Sequence, residues 1–153
     1  MRTKSKKKIG DLLLEFGYVT EEELRSAVQE QGEMNERLGE VLKKLGYVTE
    51  EELIEVLEYQ LGIPKVNLSN YLLNAHLSQF VSENLARRHN AVPYEIEDDV
   101  LKVAMEDPTD LVAIENIEIN SGMKVEVAIA THSEIINAIN QVYSLVDTDT
   151  SEI

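Results

Sequence analysis

Residues 8–31 read KIGDLLLEFGYVTEEELRSAVQEQ, and residues 37–60 read RLGEVLKKLGYVTEEELIEVLEYQ. The blocks have 24 residues each, are offset by 29 and agree at eleven aligned positions. Gly10/Gly39, Gly17/Gly46, Leu24/Leu53 and Gln31/Gln60 are among the identities. An internal repeat therefore organises the first half of the chain. Each block parses as a short helix, a turn and a longer helix. In the second block Leu38, Val41, Leu42 and Leu45 recur at helical spacing. Gly46 follows them and suits a left-handed cap. Thr49 and Glu52 then form a capping box, while Glu50 and Glu51 complement the positive end of the new helix dipole. Leu53, Val56, Leu57 and Gln60 share one face. The first block repeats this pattern with Gly17, Thr20, Glu23, Leu24, Ala27, Val28 and Gln31. Two helical hairpins packed with pseudo-two-fold symmetry are expected.

The second half has a different composition. Leu61-Gly62-Ile63-Pro64 ends the repeats, and Val66 and Leu68 lead into a loop. Leu77, Phe80, Val81, Leu85 and Ala86 predict a helix over about 75–88, with Arg87, Arg88 and His89 at its negative end. Ala91–Glu97 and Val100–Met105 read as strands joined by an Asp98-Asp99 turn. A helix from Asp107-Pro108-Thr109 to about Asn120 is stopped by Ser121-Gly122. Lys124–Ala130 alternates as a strand, and Thr131 caps a last helix through about Ser144. The expected fold class is α+β: an N-terminal pair of helical-hairpin repeats, then a small α/β layer in the order β-β-α-β-α. The expected parts are a basic flexible tail (1–7), the repeat subdomain (8–68), the α/β subdomain (69–145) and a polar tail or linker (146–153).

Composition narrows the function classes. The chain of 153 residues carries a net charge of −15, although five of its 14 basic residues fall within the first eight positions. So acidic a body repels phosphate backbones, which argues against DNA or RNA as partners. A hydrophobic fraction of 43% supports a packed core. Zero cysteines exclude disulfides, thiolate metal sites and cysteine catalysis. No apolar run approaches ~18–20 residues. Asp11 and Glu15 interrupt Leu12-Leu13-Leu14, so the basic start is not read as a signal peptide. A cytoplasmic location is expected, peripheral to the inner membrane only through partners.

No phosphate-binding G-x-x-x-x-G-K-[ST] loop is present. His76, His89 and His132 share no metal-ligand spacing and read as surface or cap residues. The acidic triplets Glu21–Glu23 and Glu50–Glu52 read as helix starts rather than metal sites. Tyr18 and Tyr47 read as half-buried turn residues. The repeat carries the sharper signal. Lys8-Ile9-Gly10 and Arg37-Leu38-Gly39 each place a cation, an apolar residue and a glycine at a helix start. Free backbone N–H groups there favour anions, and glycine admits a ligand close to the backbone. A guanidinium can donate twice to the O6/N7 edge of guanine or stack on a base. Gln31 and Gln60 add amide donors and acceptors. Such a doubled site suits a doubled, anionic, guanine-bearing ligand, though spacing alone does not name it. Equally, the glutamines can be packing residues and the glycines turn formers.

The two blocks resemble the tandem motif of the MshEN-type cyclic di-GMP-binding domain, found at the N-terminus of type II secretion and type IV pilus assembly ATPases. The second block matches through Arg37, Leu38, Gly39, Leu42, Gly46, Val48, Leu53, Leu57 and Gln60. The first matches through Gly10, Leu13, Leu14, Gly17, Val19, Leu24, Val28 and Gln31. LGIPKVNL and DPTDLVAIENIEINSGMKVEVAIA extend the resemblance to about 8–145. Departures are Lys8 for arginine, Ile9 for leucine, and Lys43, Tyr18 and Tyr47 at aliphatic positions. The resemblance implies a non-catalytic cyclic di-GMP receptor with no cofactor, regulating a secretion or pilus ATPase domain in cis or trans. It implies ligand contacts from Lys8, Ile9, Gly10, Leu13, Gly17, Leu24, Val28 and Gln31, and from Arg37, Leu38, Gly39, Leu42, Gly46, Leu53, Leu57 and Gln60. The rival reading is a docking module that couples the ATPase to an inner-membrane platform protein without binding nucleotide.

Overall fold

The computed structural model describes residues 7–34 and 37–151. Its chain divides into two compact units, Met1–Ile63 and Pro64–Ile153.

The first unit is all helical. It holds α1 (Ile9–Glu15), α2 (Glu21–Met34), α3 (Leu38–Lys44) and α4 (Glu50–Leu61). The 29-residue offset seen in the sequence reappears in the core. Leu12/Val41, Leu13/Leu42, Val19/Val48 and Ala27/Val56 are matched pairs, and all eight residues are buried in one cluster. The two short helices end alike. Gly17 N–H donates to the Leu14 carbonyl (3.1 Å) and Tyr18 N–H to that of Leu13 (3.0 Å). Gly46 and Tyr47 repeat this on Lys43 and Leu42 at 3.1 and 3.0 Å. This double bond is the Schellman pattern, and it requires a left-handed residue. Gly17 and Gly46 supply it at φ 78° and 80°. The long helices start alike too. Thr20 and Glu23 form a capping box (2.9 and 3.1 Å), and Thr49 and Glu52 form its copy (2.9 and 3.1 Å). Helix α1 packs on α4, and α2 on α3. Each short helix thus lies against the long helix of the other repeat.

The second unit is built on three strands, β1 (Ala91–Glu97), β2 (Val100–Met105) and β3 (Lys124–Ile129), in the order β1-β2-β3. β1 and β2 are antiparallel, with an irregularity between Pro93 and Glu95. Asp98 and Asp99 both take positive φ (50° and 65°) in the connecting turn, as the tightest hairpins require. β2 and β3 are parallel and joined through α6 (Leu111–Ser121). Gly122 ends α6 at φ 70°. Thr131 and Glu134 box the start of α7 (His132–Ser151). The core includes Val92, Leu101, Val103, Met105, Ile117, Ile135 and Ile139.

Three expectations need correction. The repeat region ends at Ile63 rather than Leu68. The Val66 N–H donates to the Ile129 carbonyl and the Ile129 N–H to that of Pro64, both at 2.9 Å, so this stretch pairs beside β3. The helix expected over 75–88 is two pieces, a 3-10 turn at Ala75–Gln79 and α5 (Glu83–His89). The cause is local. Asn74 caps the first piece and Ser82 the second, while the buried Tyr143 hydroxyl donates to the Val81 carbonyl between them (2.5 Å). Finally, α7 runs to Ser151 instead of ending near Ser144; no glycine or proline interrupts those residues. Of the expected basic tail, residues 1–6 lie outside the described residues, as do Glu152 and Ile153 of the expected linker.

A Cβ placed on Gly46 would meet nothing within 4 Å, so substitution there costs torsional strain alone. Gly46→Val should lower stability by ~1–2 kcal/mol, and Gly46→Asn by less; urea unfolding measures both. Burial pushes the Tyr94 hydroxyl up to about 12 and the Tyr143 hydroxyl up as well. Unfolded tyrosine ionises near ~10. The unfolded state therefore loses these protons first, and stability should fall as pH rises from ~10 towards 12. Tyr143→Phe should flatten that fall while costing ~1–3 kcal/mol at neutral pH, because the Val81 carbonyl loses its donor.

Candidate functional site

The repeat unit presents two equivalent ends. Lys8 and Arg37 are the N-cap residues of α1 and α3. Their backbones nearly coincide, at φ −74°, ψ 155° and φ −68°, ψ 145°. Neither side chain caps its own helix, and both residues are exposed. Both residues are therefore open to solvent at matched places on matched backbone.

The glutamines meet these ends across the repeats. Gln60 Nε2 donates to the Lys7 carbonyl at 3.3 Å. The amide of the second repeat thus sits beside the cation start of the first. The packing of α2 on α3 brings the Gln31 helix to the Arg37 helix in the same sense. The end that carries Lys8 is therefore composite, with Gln60 of the second repeat beside it.

The repeated glycines at the start of the two short helices have a packing cause. Gly10 and Gly39 are buried. A Cβ on Gly10 would lie 3.2 Å from Leu24 Cδ1 and 3.4 Å from Leu38 Cδ2. On Gly39 it would lie 2.9 Å from Leu53 Cδ1 and 3.6 Å from Ile9 Cδ1. Each glycine thus receives the leucine of its own long helix and the apolar residue beside the other repeat's cation. The close approach expected of a ligand is made here by leucine side chains. Leu13, Leu42 and Leu53 are likewise buried in the core, where they fix the helices that carry the cations. Ile9, Leu24, Leu38 and Leu57 are half-buried, and Val28 is 51% exposed. Gly17 and Gly46 are spent on the turns described above.

Several charges near the ends are committed elsewhere. The Lys7 ammonium is paired with Glu15, whose hydrogen bond and charge hold its pKa up. Lys43, at an aliphatic position of the pattern, reaches both Glu40 (3.3 Å) and Glu50 (3.4 Å). The Tyr18 hydroxyl donates to Glu55. Sequence reasoning passed over Tyr59, which is 55% exposed and packs edge-on to Phe16 with ring centroids 5.6 Å apart. Its signal was the break in the repeat, since Glu30 stands at the matching position.

Two of the second unit's three histidines have carboxylate partners, and His76 meets Gln79. His89 Nδ1 meets Asp110 at 2.8 Å and His132 Nδ1 meets Glu106 at 3.0 Å. Among the described residues no group of three or more His, Asp or Glu converges as a metal site. No helix among them is long and apolar enough to cross a membrane.

Comparison with known proteins agrees with this architecture. A structure of MshE with cdg superposes with a TM-score of 0.79 at 32% identity, covering 90% of this chain and all of that one. The N-terminal domain of XpsE shares the fold, with a TM-score of 0.72 at 24% identity, covering 92% of this chain and 97% of that one. The type IV pilus assembly ATPase PilB of Myxococcus xanthus is 29% identical over 90% of this chain. PilB of Thermus thermophilus is 29% identical over 90%. The chain spans only 24% and 16% of these two proteins. The MshEN domain model matches residues 61–149, which are mostly the α/β unit; the repeats fall within the wider likeness to MshE and PilB. On more than half of its length, then, the chain belongs to the MshEN domain family.

Proposed function

We propose that this chain is a cyclic di-GMP receptor domain that regulates a secretion or pilus-assembly ATPase, joined to it in cis or in trans. The observation that carries the reading is the pair of exposed cations, Lys8 and Arg37, on matched backbone, the first with Gln60 of the opposite repeat beside it. Cyclic di-GMP is itself a doubled molecule with two guanines and two phosphates. A guanidinium reads the O6/N7 edge of guanine, and an amide can serve both donors and acceptors of a base. The structural likeness to MshE solved with cdg supports the same ligand. The likeness to PilB supports the ATPase context.

No covalent step belongs to this function. The output is a shift between conformations, whose size is limited by the ligand's differential affinity for the two states. The domain works on the cytoplasmic side, and any association with the inner membrane comes through its partners.

Isothermal titration of the chain with cyclic di-GMP tests the reading. One ligand per chain is expected, with GTP and cyclic AMP binding far more weakly because neither presents two guanines. Arg37→Ala should weaken binding by roughly five- to 150-fold, corresponding to ~1–3 kcal/mol for a lost bidentate contact. The exposure of Arg37 means that the urea midpoint should stay unchanged. Absence of heat and of any thermal shift at ~100 μM ligand would leave the docking-module reading in its place.

A further inference from the structure

The two ends of the repeat unit share a backbone but not a set of side chains. Torsions at Lys8 and Arg37 differ by 10° or less. The glycine after each is filled by a leucine of its own repeat. Against this common frame the polar chemistry diverges. One end carries the ammonium of Lys8; Tyr59, beside Gln60 in the sequence, is 55% exposed and has its ring against Phe16. The other carries the guanidinium of Arg37, and Glu30 precedes Gln31 in the sequence.

These differences bear on which base each end can hold. Guanine shows two acceptors, O6 and N7, in the plane of its Hoogsteen edge, whereas adenine keeps N7 and replaces O6 with an N6–H₂ donor. A planar guanidinium donating to both positions meets a donor at one of them in adenine, and so rejects it. An ammonium is a single compact donor. It can bond N7, which both purines share, without engaging the position that tells them apart. An exposed aromatic ring stacks on either base, because every base has a π-face.

We propose that the two ends are unequal in selectivity, with Arg37 selecting guanine and Lys8 accepting either purine, so that the ligands of this site include the mixed cyclic dinucleotide of guanosine and adenosine. The inference rests on the receptor reading above. It places guanine at the Arg37 end and adenine at the Lys8 end.

The test is titration of the full chain with three ligands at one salt concentration: cyclic di-GMP, cyclic GMP–AMP and cyclic di-AMP. The mixed ligand should bind within about tenfold of cyclic di-GMP, and cyclic di-AMP about 100-fold or more weakly. Lys8→Arg should restore a guanine-reading fork and widen the gap between cyclic di-GMP and the mixed ligand to roughly five- to 150-fold. Arg37→Lys should do the reverse and narrow the gap between cyclic di-GMP and cyclic di-AMP. Both variants alter exposed residues, and a urea midpoint equal to the parent's shows that each is folded. Tight binding of cyclic di-GMP with rejection of the mixed ligand by about 100-fold or more overturns this inference alone. So does a Lys8→Arg variant whose preference matches the parent's. If none of the three ligands binds the folded chain, the receptor reading falls and this inference falls with it.

Discussion

Two leucines enter the space that two glycines leave open, and the repeat unit depends on that contact. A Cβ on Gly39 would stand 2.9 Å from Leu53 Cδ1, and one on Gly10 3.2 Å from Leu24 Cδ1. Side chains in a core sit at near-crystalline density and have little room to yield. A larger residue at either glycine would therefore push the long helix away from the short one. The same contacts bring in Leu38 and Ile9 from the opposite repeat. Each glycine is thus a junction of both repeats, and the cation beside it is placed by both. Helix propensity argues against glycine near the start of a helix, by ~1 kcal/mol against alanine. Packing overrides it here.

Much of this was legible in the sequence because it is encoded locally. Thr20 and Glu23, or Thr49 and Glu52, lie three residues apart and satisfy each other's backbone. Gly17 and Gly46 are glycine because the turn needs positive φ. The three strands were readable from alternation and from the Asp98-Asp99 turn. What was not legible is relational. A repeated sequence states that two hairpins are alike, but not whether a short helix packs on its own long helix or on its copy. The meeting of Gln60 with the Lys7 carbonyl follows from the second arrangement, through α1 on α4. The split of the 75–88 helix depended on a partner 62 residues away, the Tyr143 hydroxyl on the Val81 carbonyl. No window around Val81 contains that information.

Departures from the repeat tell more about this chain than its identities do. Lys43 stands where the first block has Leu14, yet its stem is half-buried and its ammonium reaches Glu40 and Glu50. A long amphipathic side chain can cover apolar surface while its charge stays near water, so the substitution keeps the helix packing. Glu55 accepts from Tyr18, but the matching position, 29 residues earlier, is Ser26. Tyr59 likewise answers to Glu30. The core is close to symmetric and the surface is not. Symmetry is thus retained where packing demands it and relaxed where side chains meet solvent.

A composite site has an energetic consequence that a site within one repeat would lack. A ligand held at both ends would touch the α1–α4 pair and the α2–α3 pair together. It would then link two halves that the chain itself joins through the turns at Gly17 and Gly46. Ligand bound only to the folded state stabilises it by an amount that grows with the logarithm of its concentration, ~2.7 kcal/mol at 100 times Kd. Small helical units start from a modest stability, because they bury a smaller share of their surface than large domains do. An increment of this size is therefore large against the stability of four helices. It falls on the contacts between repeats, since these are what a spanning ligand would hold fixed. Any regulatory signal passed onward from the repeat unit would accordingly begin as a tightening of the junctions at Gly10 and Gly39.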